Sequence, residues 1–376
     1  MNSFQAGTFR LNTGYQAFFP EKINRSYAFD DSAMLPLLEK ANLKMGELNT
    51  WSELAPDIGQ FIRLFVVKEA TLSSRIEGTQ TSVEEALLNA EDIAPERRDD
   101  WQEVNNYIEA MNVCLRLLPS LPLSSRMIKK AHAVLLQGVR GERKAPGEFR
   151  RSQNWIGGAT PMDAAFVPPP WTEIEALMGD LENFLHSENT QLPHLLKIAL
   201  AHYQFETIHP FLDGNGRIGR LMIPLYLISV SMLQQPAFYI SDFIERNKVH
   251  YYDHLTRVRM QNDIRPWFRF FLVGTIETCE TAIVALRSIT DLKKDCETKR
   301  LTTLGRRLPN ARLLLDRLFS NPIIRADEVA AHAGVSLVSS YKLIDDFVRL
   351  GILQEQTGYR RNRVFVFREY LNLFER

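Results

Sequence analysis

The sequence predicts a mainly α-helical fold with one projecting β-hairpin and, at the C-terminal end, a helix–turn–helix followed by two short strands. Three observations predict it. From residue 56 onward, successive segments repeat apolar residues at helical spacing, as Phe61, Phe65, Leu72 and Ile76 do. Within "GEFRRSQNWIGGATPMDAAFVPPPW", the apolar pieces "NWIG" and "AAFVPPP" flank turn residues, the pattern of a hairpin. The last seventy residues then change rhythm, ending in "ILQEQ" and "RVFVFR" around "TGYRRN".

Composition narrows the class. A chain of 376 residues exceeds one ordinary core, so two or three domains are expected. The reading places an N-terminal helical region at 1–100, a central domain at 101–285, and a linker helix with a terminal module at 286–376. Lys+Arg and Asp+Glu both number 45, so no global field draws the protein to nucleic acid or membrane. Cys114, Cys279 and Cys296 lack disulfide or metal spacing and read as buried or free thiols. No leader pattern opens "MNSFQAGTFRLNTGY" and no apolar run reaches membrane-span length, so a cytoplasmic setting is expected. "LMIPLYLISVSML" holds a proline and reads as a core helix.

Each element has its own signal. Residues 1 to about 50 read as mixed loop and helix. A helix is expected from Pro56 to Glu77, with Gly78 as its left-handed stop. "TSVEEALL" restarts a helix, with Ser82 and Glu85 placed as a capping box. Helices follow in "WQEVNNYIEAMNVCLRLL", "SSRMIKKAHAVLLQG", "WTEIEALMGDLENFLHS" and "PHLLKIALAHYQFETI". Residues 285–305 are charged and read as helix or linker.

The chemistry concentrates in "HPFLDGNGRIGR", residues 209–220. Gly214, Gly216 and Gly219 form a G-x-G-x-x-G, and "AFYIS" with Asp242 follows at the distance a dinucleotide fold would use. That fingerprint needs a preceding strand, whereas residues 194–206 have helical spacing. Nor is there the G-K-[ST] of a Walker loop. What remains is a helix–loop–helix whose glycines let backbone N–H groups converge on an anion. Arg217 and Arg220, three apart, share one face and suit a di- or triphosphate. Asp213 could hold a magnesium ion against those phosphates. His209 could take a proton from an attacking hydroxyl. Together these groups spell nucleotidyl or phosphoryl transfer to an alcohol. Singly, a histidine in a Pro-containing loop or an Asp-Gly turn is more often structural.

The stretch resembles the Fic family signature H-P-F-x-D-G-N-G-R-x-x-R at all nine specified positions. "FETI" before it and the spacing to "ERNKVHYYDHL" are similar as well, and the resemblance covers roughly residues 50–275. It implies a Fic helical bundle that transfers AMP from ATP to a hydroxyl side chain of a target protein. Carried over, it makes His209 the base and Asp213 the Mg²⁺ ligand. Gly214, Asn215 and Gly216 would cradle the phosphates and Arg217 would contact them. Arg220 would grip the γ-phosphate, and Ile218 and Gly219 would complete the ATP-binding segment.

A second resemblance lies upstream. Ser73-x-x-x-Glu77-Gly78 is similar to the family's inhibitory motif, placed N-terminal to the signature. It implies that Glu77 pairs with Arg220 and keeps that arginine from the γ-phosphate. The alternative is an ordinary solvated helix end. The hairpin at 155–170 looks like the family's flap, which docks the target's backbone, or else is a plain surface hairpin. Of Tyr251 and Tyr252, the resemblance selects Tyr252 as the adenine neighbour, with a core tyrosine as the alternative. Some relatives carry an asparagine where Met260 or Gln261 stands here, so no adenine-edge contact is assigned there.

The C-terminal segment looks like a winged helix, with Arg360, Arg361 and Arg363 at the wing tip. Its second helix carries Lys342 but also Asp345 and Asp346, so DNA and protein partners stay open, as does a homodimer. Two function classes follow: an AMP-transferring enzyme, or a DNA-binding regulator with a weak Fic body. Removal of AMP from protein at the same site is a further option.

Overall fold

The computed structural model describes residues 4–12, 14–28, 31–54, 58–358 and 363–374. The chain opens with a β-hairpin, β1 (Gly7–Asn12) against β2 (Tyr15–Pro20). Mixed loop and helix were expected here. Only β1 alternates apolar and polar residues, over six positions, while β2 runs Ala17, Phe18 and Phe19 together, and Gly14 turns between them at φ +91. So short a period-2 run is easily lost among loop residues.

Helices α1 (Leu35–Leu54), α2 (Ile58–Ile76) and α3 (Val83–Ala86) follow. Pro56, the expected start of α2, lies outside the described residues. Ser82 and Glu85 form the expected capping box on α3: the Ser82 hydroxyl accepts from Glu85 N–H, and the Glu85 carboxylate accepts from Ser82 N–H. The body is built from α4 (Arg98–Leu117), α5 (Ser125–Leu135), α6 (Ile174–His186), α7 (His194–Ile208) and α8 (Asn215–Ser229). It is completed by α9 (Ser241–Arg246), α10 (Lys248–Gln261) and α11 (Arg265–Asp295). Helix α7 is buried on every side from Leu195 to Ile208, which identifies it as the central rod of the bundle. Trp267 of α11 is fully buried and donates its indole N–H to the Ala199 carbonyl, 2.8 Å away. Helix α11 runs on unbroken past residue 285.

The projecting hairpin is minimal. Ile156 and Phe166 exchange both backbone hydrogen bonds, at 2.8 and 3.1 Å, as one antiparallel pair. Its return strand is tied to β2 through Phe18 N–H to the Val167 carbonyl, at 2.9 Å.

The C-terminal module runs α12 (Leu308–Ser320), β3 (Ile323–Arg325), α13 (Ala326–Ala333), α14 (Leu337–Arg349), β4 (Gln354–Glu355), β5 (Val364–Val366) and α15 (Arg368–Leu371). The sheet order is β3–β5–β4, antiparallel throughout. The three-residue strand β3 adds to the two strands expected. Arg360 and Arg361 lie outside the described residues. Arg363 is described and pairs with Glu355 at 3.3 Å.

This module packs on α2. Phe61 meets Phe319 edge to face at 5.3 Å, and Phe65 meets Phe374 at 5.1 Å. Arg368 holds Glu84 of α3 at 2.5 Å and 3.0 Å, and Arg325 pairs with Asp92. All three cysteines are buried free thiols. No helix among the described residues is long and apolar enough to cross a membrane.

Phe319 is fully buried and touches the rings of Phe61, Phe367 and Tyr370. Phe319→Ala is therefore expected to cost about 3–5 kcal/mol, read as a lowered urea midpoint. A loss below 1 kcal/mol would mean that the module is not packed through this ring.

Candidate active site

Helix α7 ends where Pro210 forbids its continuation, because a residue before proline avoids the right-handed helical region. His209 takes a left-handed conformation instead, φ 50 and ψ 61, and its N–H still reaches the Phe205 carbonyl at 2.9 Å. A left-handed non-glycine residue costs about 1–2 kcal/mol, so the surroundings must hold it.

They do so through backbone carbonyls. Arg150 is buried and donates to the carbonyls of His209 (3.0 Å), Pro169 (2.6 Å) and Ser152 (2.9 Å), and its N–H reaches Pro210 (2.9 Å). No carboxylate among the described residues pairs with it, and burial pushes its pKa down to about 10, still a cation at neutral pH. Asn154 donates to the Phe211 carbonyl at 2.9 Å. Asn215 brackets Phe211, accepting its N–H at 2.8 Å and donating to its carbonyl at 2.9 Å. His132 stacks on the Phe211 ring at 3.8 Å. Its Nδ1 accepts from Gly147 N–H, so Nε2 carries the proton and donates to the Asp213 carbonyl at 3.0 Å. Burial pushes the His132 pKa down to about 4, which keeps that neutral tautomer.

The loop then enters α8. Gly214 is left-handed at φ 74 and begins the helix. The first-turn N–H groups have no carbonyl one turn earlier, so they form an anion site. The Glu77 carboxylate lies against this first turn: a Cβ on Gly216 would lie 2.2 Å from its Oε1. Gly219 is needed for a different reason, since a Cβ there would lie 2.3 Å from Glu206 Oε1. Two of the three glycines therefore make room for carboxyl groups.

Arg220 is 1% exposed, and its Nε and Nη2 are both engaged. Its Nε donates to Ser73 Oγ (2.9 Å), and its Nη2 donates to the Ser73 carbonyl (2.9 Å) and to Glu77 Oε1 (2.5 Å). Burial opposes the Arg220 charge most strongly, but Glu77, Tyr251 and Glu206 together raise its pKa above the usual value. Glu77 keeps a third of its side chain in solvent. Burial opposes its charge too, yet Arg220, Arg217 and His209 hold it below the usual carboxylate value. Gly78 ends this segment at φ 109, and Lys248 of α10 donates to the Ile76 carbonyl at 2.5 Å.

The remaining groups surround this pair. Arg217 is buried, donates to Glu103 at 3.0 Å and lies 3.6 Å from Asp213. Its Nε is buried without a partner, as is His209 Nδ1. Burial is the main cause that pushes the His209 pKa down to about 4, so its imidazole is neutral at pH 7. The Asp213 side chain is nearly half exposed, and its Oδ1 accepts Gly214 N–H at 2.6 Å. Ile218 is wholly buried, with its N–H bonded to the Gly214 carbonyl, so it packs the helix. Tyr252 is 42% exposed, and partial burial, with Glu77 adding and Arg220 opposing, pushes its hydroxyl pKa up to about 12. Tyr251 is buried, and its hydroxyl donates to His202 Nε2 at 2.8 Å, while His202 Nδ1–H donates to the Gly219 carbonyl. Sequence reasoning missed Arg150, Asn154, His132, Glu103 and Glu206 as parts of the site. "FETI", which contains Glu206, was the one signal present.

The site is thus a helix start with free first-turn N–H groups beside a neutral histidine, carried on a helical bundle. Residues 35–116 match the family described as Fic/DOC family N-terminal, and residues 122–227 match the Fic/DOC family, together half of the chain. The chain belongs to the Fic/DOC family. It is 39% identical over 136 residues to a protein of Aedes aegypti named protein adenylyltransferase Fic, covering 36% of this chain and 24% of that one. With the protein of the same name from Drosophila grimshawi it is 36% identical over 182 residues, covering 47% and 34%. The matches thus span only a quarter to a third of these relatives. Among solved structures, a Fic family protein from Desulfovibrio desulfuricans shares the fold with a TM-score of 0.58 at 20% identity, covering 91% of this chain and 98% of that one. Fic-1 from C. elegans does so with a TM-score of 0.52 at 21% identity, covering 69% and 74%.

Glu206 yields a prediction. Burial raises its pKa from 4.5 to about 7, with Arg220 opposing and Glu77 adding to the rise. The protonated form is favoured in the folded state, so its stabilisation is complete below pH 4.5 and is lost as pH rises through 7. Glu206→Gln should therefore match the wild type near pH 4.5 and gain on it by up to about 3 kcal/mol at pH 8. Urea unfolding of both proteins across that range checks it. Parallel pH curves would show that Glu206 ionises normally.

Proposed function

We propose that this protein transfers AMP from ATP to a Tyr, Thr or Ser hydroxyl of a target protein, and that Glu77 holds it at rest. The observation that carries this reading is one immobilised loop with a neutral histidine at one end and an anion site at the other. The triphosphate lies along the N–H groups of Asn215 and Gly216, beside Arg217, and gains that of Gly214 when Asp213 Oδ1 releases it. Asn215 contributes its backbone only, since its amide is committed to Phe211. The target hydroxyl gives its proton to His209 Nε2 as its oxygen bonds to the α-phosphorus. The bond to pyrophosphate breaks, and the products are an AMP–protein ester and pyrophosphate. The negative charge of ATP raises the His209 pKa from its low resting value toward neutrality, where a general base works best.

Asp213 is the residue to hold Mg²⁺. One half-exposed carboxylate suits an ion bound mainly by phosphates and water, and no cluster of three or more ligating side chains exists among the described residues. When bound, Mg²⁺ neutralises phosphate charge. Tyr252 flanks the adenine. The target docks on the hairpin at 155–170, where Trp155 and Ile156 are partly exposed.

We read the terminal module as a winged helix that docks protein rather than DNA. Asp346 is buried against Arg307 and Arg349, and Asp345 lies beside Lys342 on the exposed face of α14, together with Leu337, Val338 and Val348. That face offers a DNA backbone little positive charge.

In the resting state Glu77 competes with a γ-phosphate for Arg220, because Ser73 and Glu77 occupy its Nε and Nη2 donors. ATP labelled at the α-phosphorus tests this. Glu77→Gly should raise labelling of the protein, and His209→Ala in that background should lower it about 10²–10⁴-fold while ATP binding persists. Adding Arg220→Ala to Glu77→Gly should remove most of the gain, since both groups share one partner. Glu77→Gly should also cost about 1–3 kcal/mol of stability, because it strips a carboxylate from a buried cation, a loss moderated by the solvent that already reaches Glu77. Equal labelling with and without His209 would overturn the assignment of the base.

A further inference from the structure

Arg259 of α10 has no carboxylate within ion-pair distance among the described residues, although it is half-buried in the site. Its guanidinium lies 3.8 Å from the centroid of the Phe166 ring. Phe166 is the residue of the projecting hairpin that pairs with Ile156, and that pair is its whole ladder. The other side of Phe166 meets Phe18 of β2 at 6.2 Å. The return strand is thus held by the N-terminal hairpin on one side and by Arg259 on another, while the front strand at Trp155–Ile156 is partly exposed. Arg259 is also close enough to Glu206 and His209 for its charge to act on both. Arg259 stands seven residues after Tyr252, two turns along the same face and about 10 Å away. One helix therefore presents Tyr252 to the nucleotide end of the site and Arg259 to the acceptor end.

We propose that Arg259 is a positioning residue that sets the hairpin over His209 by stacking its guanidinium on Phe166. The proposal rests on the AMP-transfer reading above and adds how the acceptor is held. A two-residue ladder has little stability of its own, since an isolated hairpin is marginal in water. A planar cation against one face of Phe166 holds the ring without occupying the edge that a target strand needs. The missing carboxylate follows from this: a paired guanidinium would be pulled toward its partner and off the ring.

The test uses the full-length protein and two readouts. The first is hydrogen exchange at the Ile156 and Phe166 amides, the two donors of the bridge. In Arg259→Met, which keeps the length but removes charge and plane, exchange should accelerate about 3- to 30-fold, the range one cation–π contact supports. Arg259→Lys should fall between, and Phe166→Leu should match Arg259→Met, with the double variant no faster than either. The second is self-labelling from α-labelled ATP in the Glu77→Gly background at saturating ATP. It should fall about tenfold or more with Arg259→Met, as expected when a reacting group is misplaced by an ångström, while affinity for a non-hydrolysable ATP analogue stays within twofold. Unchanged exchange at the two amides would overturn the proposal, as would a loss of labelling matched by an equal loss of nucleotide affinity. An absence of labelling in Glu77→Gly itself would instead overturn the AMP-transfer reading, and the amide exchange would still decide whether Arg259 holds the hairpin.

Discussion

Arg220 is a permanent cation with 1% of its surface in solvent, and much of the architecture answers to that fact. An uncompensated buried charge costs several kcal/mol. Its compensation comes from another part of the chain, 143 and 147 residues away, in Glu77 and Ser73. Helix α2 must therefore dock with its C-terminal end at the start of α8. The same end is fixed from a third direction by Lys248, which donates to the Ile76 carbonyl. Ser73 is reached through both its hydroxyl and its carbonyl, so the arginine reads the backbone position of α2 as well as its charge.

The other end of α2 is held by different physics. Phe61 and Phe65 lie one turn apart and pack on rings of the C-terminal module, while Arg368 and Gln356 of that module hold Glu84 just beyond the Gly78 turn. The segment carrying Glu77 is thus bracketed by apolar contacts before it and ion pairs after it. A movement that takes Glu77 off Arg220 by shifting the whole helix must break those contacts or carry the module along. A movement confined to Glu77 and Gly78 need do neither. The φ of Gly78 and the partial exposure of Glu77 put the easiest motion at the tip of the helix.

Much of this was legible in the sequence, and the illegible part has a common cause. The long amphipathic helices, the capping box on α3 and the His209–Arg220 loop each have a local signal, because a helix pattern or a motif lies within a few neighbouring residues. The first hairpin was missed since two six-residue strands give too few alternations to stand out. The residues that immobilise the loop were missed for a different reason. Arg150, Asn154 and His132 act through backbone carbonyls far along the chain, and a carbonyl leaves no mark on residue identity. The glycines pointed in the sequence to backbone N–H groups converging on phosphates, whereas in the structure Gly216 and Gly219 make room for the carboxyl groups of Glu77 and Glu206.

Two carboxyl groups share the neighbourhood of one arginine, and this sets their protonation. Glu77 is bonded to Arg220 and stays charged, whereas Glu206 is more deeply buried, has an unpartnered Oε1, and is held protonated toward neutral pH. Two like charges cannot both be stabilised cheaply by a single cation, so the one with the better hydrogen bond ionises first. If Glu77 leaves, Arg220 loses its partner and Glu206 loses its rival at the same moment. The Glu206 pKa would then fall, and its carboxylate would supply part of the missing negative charge. The buried cation keeps a second carboxyl group in its neighbourhood, so loss of the Glu77 bond need not leave it wholly uncompensated among the helices packed around it.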